Sequence, residues 1–105
     1  MVQAHTLQAG ELRLDLDRHQ VTLGQQPLEL TPTEFSLLKM FMENPGHAFS
    51  RPELIERGLG YTYAGLERTI DTHIKNLRKK LDLAPEHPAY IETVHGVGYR
   101  LRGDM

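Results

Sequence analysis

Residues Leu66 to Leu81, LERTIDTHIKNLRKKL, repeat their apolar positions at a spacing that an α-helix turns to one side. With Ile70 at zero on a wheel of 100° per residue, Ile74, Leu77 and Leu81 lie within about 40° of it and form a stripe that needs a core to face. Arg68, Thr72, Lys75 and Lys79 fall on the opposite side, within roughly 30° of their mean direction. Asn76 lies at one margin of that face, with Thr69 and His73 beyond it. The rest of the chain must therefore cover one side of this helix and leave a basic, hydrogen-bonding side in water.

Charge is concentrated on the same segment. Five basic residues (Arg68, Lys75, Arg78, Lys79, Lys80) stand against two acids (Glu67, Asp71), so the helix carries +3 while the whole chain is −2 and the remaining residues sum to −5. An acidic body with one basic helix has a local positive field and is poor at coating polyanions indiscriminately. The overall acidity argues mildly against nucleic acid binding, and the distribution argues for it. The plain alternative is a solvated helix face, because Lys and Arg are good helix formers that usually sit in water.

A chain of 105 residues is read as one domain, 1–105, which at this size buries roughly two-thirds of its unfolded surface without staples. The absence of Cys excludes disulfides and thiolate metal sites and fits a reducing cytoplasm. The opening residues, MVQAHTLQAGELRLD, have no basic region followed by an apolar run, and no stretch approaches the ~18 apolar residues of a membrane span. A cytoplasmic location without a membrane partner is expected.

The first thirty residues alternate as strands do. Leu12, Leu14 and Leu16 point one way and Glu11, Arg13, Asp15 and Asp17 the other; Val21 with Leu23, then Leu28 with Leu30, repeat the pattern. Asp17-Arg18-His19-Gln20 and Gly24-Gln25-Gln26-Pro27 supply turns, which predicts a small antiparallel sheet over about 6–30. Thr31-Pro32-Thr33-Glu34 is a capping box with proline in the first helical position, and Phe35, Leu38, Phe41 and Met42 give a helix over about 31–44, ended by Asn44-Pro45-Gly46. Ser50-Arg51-Pro52-Glu53 repeats the box and opens a shorter helix to about Arg57, stopped by Gly58 and Gly60. The basic helix spans about 66–83. After Ala84-Pro85-Glu86-His87-Pro88, Tyr90–Val94 and Gly98–Leu101 read as two strands of a hairpin over about 90–102. Helix, turn, helix and then a hairpin is the plan of a winged helix, whose last helix enters the major groove.

Four motifs carry a resemblance in register over about residues 6–102: T-P-T-E-F-S-L-L at Thr31–Leu38, P-G-H-A-F-S-R at Pro45–Arg51, R-T-I-D-T-H-I-K-N-L-R-K-K-L at Arg68–Leu81, and I-E-T-V-H-G-V-G-Y-R-L at Ile91–Leu101. The chain resembles the OmpR/PhoB-type DNA-binding domain of two-component response regulators. The resemblance implies an α+β winged helix-turn-helix with an N-terminal four-stranded antiparallel sheet, three helices and a C-terminal β-hairpin wing. It also implies promoter DNA, in direct repeats, as partner. Further partners would be an upstream receiver domain with its histidine kinase, a second copy head to tail on DNA, and RNA polymerase through its sigma factor or alpha subunit.

Carried over by position, the recognition-helix contacts fall on Arg68, Thr69, Thr72, His73, Lys75, Asn76, Arg78 and Lys79. Chemistry sorts them. Thr72 can offer a methyl or hydroxyl to a base edge, Lys75 can donate to guanine, and Asn76 can pair with adenine. Arg68, Thr69, His73, Arg78 and Lys79 suit phosphates. Asp71 can accept from a cytosine amino group or pair with Lys75 four residues on. On the wing, His95 stands where many relatives carry an Arg that enters the minor groove, and a neutral imidazole attracts a narrow groove less. Thr93 and Val97 can reach the backbone through a hydroxyl and a main-chain N–H, Tyr99 is assigned to the core, and Gly96 and Gly98 to tight hairpin geometry. The loop over about Arg57 to Leu66, with Gly58, Leu59, Gly60, Tyr61, Thr62 and Tyr63, is the polymerase-facing segment by the same resemblance. Leu59 stands where many relatives have Trp.

Neither an enzyme nor a cofactor is expected. No Ser/His/Asp or Cys/His set is suggested, and His5, His19, His47, His73, His87 and His95 never pair at i, i+4 on a helix. Gly58-Leu59-Gly60 and Gly96-Val97-Gly98 lack the next glycine of a dinucleotide fingerprint. The remaining alternative is a winged helix that contacts protein and does not read DNA.

Overall fold

The computed structural model describes residues 5–59, 67–82 and 89–103. Four strands open it: β1 (Thr6–Ala9), β2 (Leu12–Asp15), β3 (Gln20–Leu23) and β4 (Gln26–Leu28), each antiparallel to the next. The period-2 pattern does what it predicts: Leu12, Leu14 and Val21 are buried, Leu14 lies opposite Val21, and Glu11 and Arg13 face water. The last turn is tighter than expected. Gly24, at φ +63°, leads with Gln25 into β4, so Gln26 and Pro27 are strand residues rather than turn residues. β4 is an edge strand, where proline's missing N–H costs no ladder bond.

Helix α1 (Pro32–Glu43) starts at the predicted capping box. The Glu34 N–H donates to Thr31 Oγ1 at 3.1 Å and the Thr31 N–H donates back to Glu34 Oε1 at 3.0 Å. Asn44 ends the helix by donating its side-chain amide to the Met40 carbonyl at 2.9 Å. Phe35, Leu38, Phe41 and Met42 are buried, and so are Leu37 and Met40, because α1 is covered from several sides at once.

A two-residue strand, β5 (Phe49–Ser50), follows and was not legible in the sequence. It leads directly into α2 (Arg51–Glu53), which repeats the capping box at Ser50 and Glu53 and then widens into a π-helical segment, Leu54–Leu59. Gly58 does not stop this helix. A Cβ there would lie 3.2 Å from Leu37 Cδ2 and 3.4 Å from Met40 Sδ, so the glycine lets the segment lie against α1.

Helix α3 (Glu67–Leu81) buries Ile70, Ile74, Leu77 and Leu81, the stripe read from the wheel. The strands β6 (Ile91–Val94) and β7 (Gly98–Leu101) form the C-terminal hairpin, and β5 pairs with β7 to make a three-stranded sheet of order β5-β7-β6. The wing is therefore anchored by a third strand where two were expected. Gly96, at φ +80°, is the hairpin glycine. Gly98 has a different reason to be glycine: a Cβ there would sit 2.0 Å from the Phe49 carbonyl oxygen, so the close approach of β5 requires hydrogen at that position. The architecture is an α+β winged helix with an N-terminal four-stranded sheet.

Candidate nucleic-acid interface

The two margins of α3 are treated differently by their neighbours. On the outer face Thr69, Thr72, Lys75, Asn76 and Lys79 are exposed, and His73 is half-buried beside the start of α1. Among the described residues neither Lys75 nor Lys79 takes part in an ion pair. Arg68 lies on α3, but its side chain falls outside the described residues. The Lys75 and Lys79 ammonium groups, exposed and without an ion pair among the described residues, can approach an anionic surface without first breaking a salt bridge.

Arg78 and Lys80 belong to the same charge run but are already engaged. The Arg78 guanidinium donates from Nε to the Ile91 carbonyl at 3.1 Å and from Nη2 to Thr93 Oγ1 at 2.6 Å, and lies 5.1 Å from the Tyr99 ring centre. It clasps α3 to β6. Lys80 Nζ donates to Glu34 Oε1 at 2.6 Å, which compensates the buried carboxylate that also caps α1. The segment's charge of +3 is thus not all offered to solvent.

Asp71 does not make the intrahelical pair with Lys75. Its Oδ1 accepts from Arg51 Nε at 2.7 Å and from the Tyr99 hydroxyl at 2.5 Å, so its partners come from α2 and β7 rather than from Lys75 on its own helix. Burial alone would raise the Asp71 carboxyl, but the bonds from Tyr99 and Arg51 and the Arg51 charge outweigh it and hold the group below its ordinary value. Burial, and then the bond to Asp71, pushes the Tyr99 hydroxyl above its usual range. Arg51 is raised chiefly by its hydrogen bond to Asp71. Two guanidinium groups lie over the Tyr99 ring, Arg51 at 5.3 Å and Arg78 at 5.1 Å from its centre. Sequence spacing does not point to Arg51 and places Tyr99 only in the core. Twenty and 48 residues separate Arg51 from these partners, and no spacing rule connects them.

At the wing, Thr93 is exposed and its hydroxyl accepts from Arg78 while retaining its own proton. His95 and Gly96 are exposed at the tip. Val97 cannot serve as the expected main-chain donor, because its N–H closes the turn on the Val94 carbonyl at 2.9 Å; it presents an isopropyl group, 45% exposed, instead. Of the loop residues, Gly58 and Leu59 are half-buried, Leu59 packing on the core, while Gly60, Tyr61, Thr62 and Tyr63 lie outside the described residues.

The geometry agrees with the relatives. The family described as "Transcriptional regulatory protein, C terminal" matches residues 25–101. The sensory transduction protein RegX3 of Mycolicibacterium smegmatis is 41% identical over 97 residues, covering 92% of this chain and 42% of that protein. The chain spans about two-fifths of the length of the curated relatives it matches. Among solved structures, the Klebsiella pneumoniae RstA DNA-binding domain in complex with RstA box is similar at TM-score 0.82 and 33% identity, with 93% of this chain and 97% of that one covered. The DNA-binding domain of CpxR from E. coli is similar at TM-score 0.83 and 34% identity, with 95% and 98% covered. No helix among the described residues is long and apolar enough to cross a membrane. With a four-stranded sheet ahead of three helices and a wing, and with that match over residues 25–101, the chain belongs to the OmpR/PhoB-type winged-helix DNA-binding domains of two-component response regulators.

Proposed function

We propose that residues 1–105 form a single effector domain that binds promoter DNA in a sequence-specific way and regulates transcription in the cytoplasm, without chemistry of its own. The observation that carries this reading is the outer face of α3, where Lys75 and Lys79 stand exposed and without an ion pair among the described residues, beside Thr72 and Asn76. In this reading α3 lies in the major groove. Thr72, Lys75 and Asn76 read base edges, and Arg68, Thr69, His73 and Lys79 hold phosphates. Arg78 and Thr93 meet the backbone as one hydrogen-bonded unit, because the Thr93 hydroxyl that accepts from Arg78 can still donate outward. His95, exposed at the wing tip, faces the flanking minor groove, with Val97 as an apolar contact on the sugar edge.

The wider assignment follows the family. An upstream receiver domain and its histidine kinase would control the domain, two copies would sit head to tail on direct repeats, and the segment from Gly58 to Tyr63 would face the sigma or alpha subunit of RNA polymerase. The RegX3 relative, more than twice as long as the matched region, supports a larger parent protein.

Selection of bound sites from a random duplex pool at low salt tests this function, run beside a folded Lys75→Ala/Lys79→Ala variant. Enrichment of a half-site recurring as a direct repeat, lost in the variant, is the expected result. A folded parent that binds no duplex at high concentration contradicts it and favours a winged helix that contacts protein.

A further inference from the structure

Asp71 is an acid on the helix expected to meet phosphates, and it is exposed enough to weaken that meeting: its side chain is 47% accessible. Free energy spent against the DNA field calls for a compensating role. Its oxygen joins three elements, receiving Arg51 Nε from α2 and the Tyr99 hydroxyl from β7 while Asp71 itself belongs to α3. The Arg51 Nη2 also reaches the Tyr99 hydroxyl at 3.5 Å. Tyr99 is buried and its ring contacts the guanidinium groups of both Arg51 and Arg78, so the strand that carries the wing cannot rotate relative to α3 without separating these contacts.

From this junction we infer that Arg51, Asp71 and Tyr99 are positioning residues that fix the wing against the recognition helix, and that Asp71 determines specificity without reading a base. Its carboxylate lowers affinity for any duplex by like-charge repulsion with phosphates. It raises discrimination by holding α3 and the wing in the one relative placement that lets both engage a single site. The inference rests on the DNA-binding reading for its second half only, since the clasp itself exists in the free protein.

Asp71→Asn keeps the shape and removes the charge, and Tyr99→Phe keeps the ring and both charges and removes one hydroxyl. In the free proteins, amide hydrogen exchange over Ile91–Leu101 is expected to quicken about tenfold in both variants, with the N-terminal sheet unchanged. On DNA, Asp71→Asn should bind random duplex about two- to fivefold more tightly, the size of one exposed charge, while its ratio of selected-site to random affinity falls about tenfold. Tyr99→Phe should lower the same ratio with random-duplex affinity unchanged. Exchange that is unaltered in the wing, or raised equally throughout the chain, overturns the positioning role whatever happens on DNA. Loss of preference confined to one C·G pair in Asp71→Asn overturns the specificity role and makes Asp71 a base reader. A folded parent that binds no duplex contradicts the DNA-binding reading, and wing exchange that quickens in both variants then still supports the clasp.

Discussion

Arg78 and Lys79 are consecutive basic residues on one helix, and they do opposite things. Arg78 turns toward the wing, where two hydrogen bonds and an aromatic ring occupy its guanidinium. Lys79 stands in solvent, as Lys75 does one turn earlier. The acids named with them are both engaged. Glu34 is 2% exposed and neutralised by Lys80, and Asp71 is tied to Arg51 and Tyr99. One margin of α3 therefore contributes to the fold, while on the outer face Lys75 and Lys79 carry no ion pair among the described residues. A basic group counted in sequence is open to an anion without breaking an internal contact only where the fold leaves it without a partner.

Substitutions separate the two sides, and the largest effect belongs to the committed one. Gly98→Ala places a methyl against the Phe49 carbonyl and should cost about 3 kcal/mol in urea unfolding, because β5 must leave β7. Arg78→Ala removes the clasp on Ile91 and Thr93 and should cost about 2 kcal/mol, with affinity lowered alike on selected and random DNA. An Arg78→Ala protein as stable as the parent would break the division between the two sides.

Acid should loosen the same margin. Asp71 is held below its ordinary value in the folded state, so its stabilisation is present above the unfolded value of about 3.9 and is lost as pH falls through the folded value. Glu53, lowered by the N–H and hydroxyl of Ser50, acts in the same direction. Asp71→Asn should flatten the acid limb of the stability curve below about pH 4, and an unchanged limb would remove Asp71 from the account. Tyr99 has the opposite sign: its raised value makes stability fall as pH climbs above about 10.

The smallest stability effect belongs to the outer face. Lys75→Ala should alter stability by no more than about 0.5 kcal/mol while relaxing base preference and reducing the salt slope of binding by about 1. Destabilisation as large as that of Arg78→Ala would mean that Lys75 has a hidden structural partner.

What the sequence shows is local, and what it hides is the meeting of distant residues. Both capping boxes, the alternation of β2 and β3 and the inward stripe of α3 depend on neighbours within four positions, and each forms as its spacing predicts. The strand β5 is two residues long, too short to show a period, and exists because β7 lies beside it. The π-helical continuation past Gly58 depends on Leu37 and Met40 of α1, which no local rule brings to that glycine. The outer face of α3 was legible because helical spacing alone turns it outward. The Arg51–Asp71–Tyr99 junction was not, since alternation places Tyr99 inward but does not say what its hydroxyl meets.

The central claim is that α3 meets DNA through a basic outer face and phosphate contacts, and the dependence of duplex affinity on salt tests it most directly. Neutralising about five phosphates predicts a slope of log affinity against log salt near −4 or −5 for the parent chain. A slope near zero would contradict a backbone-dominated interface on α3.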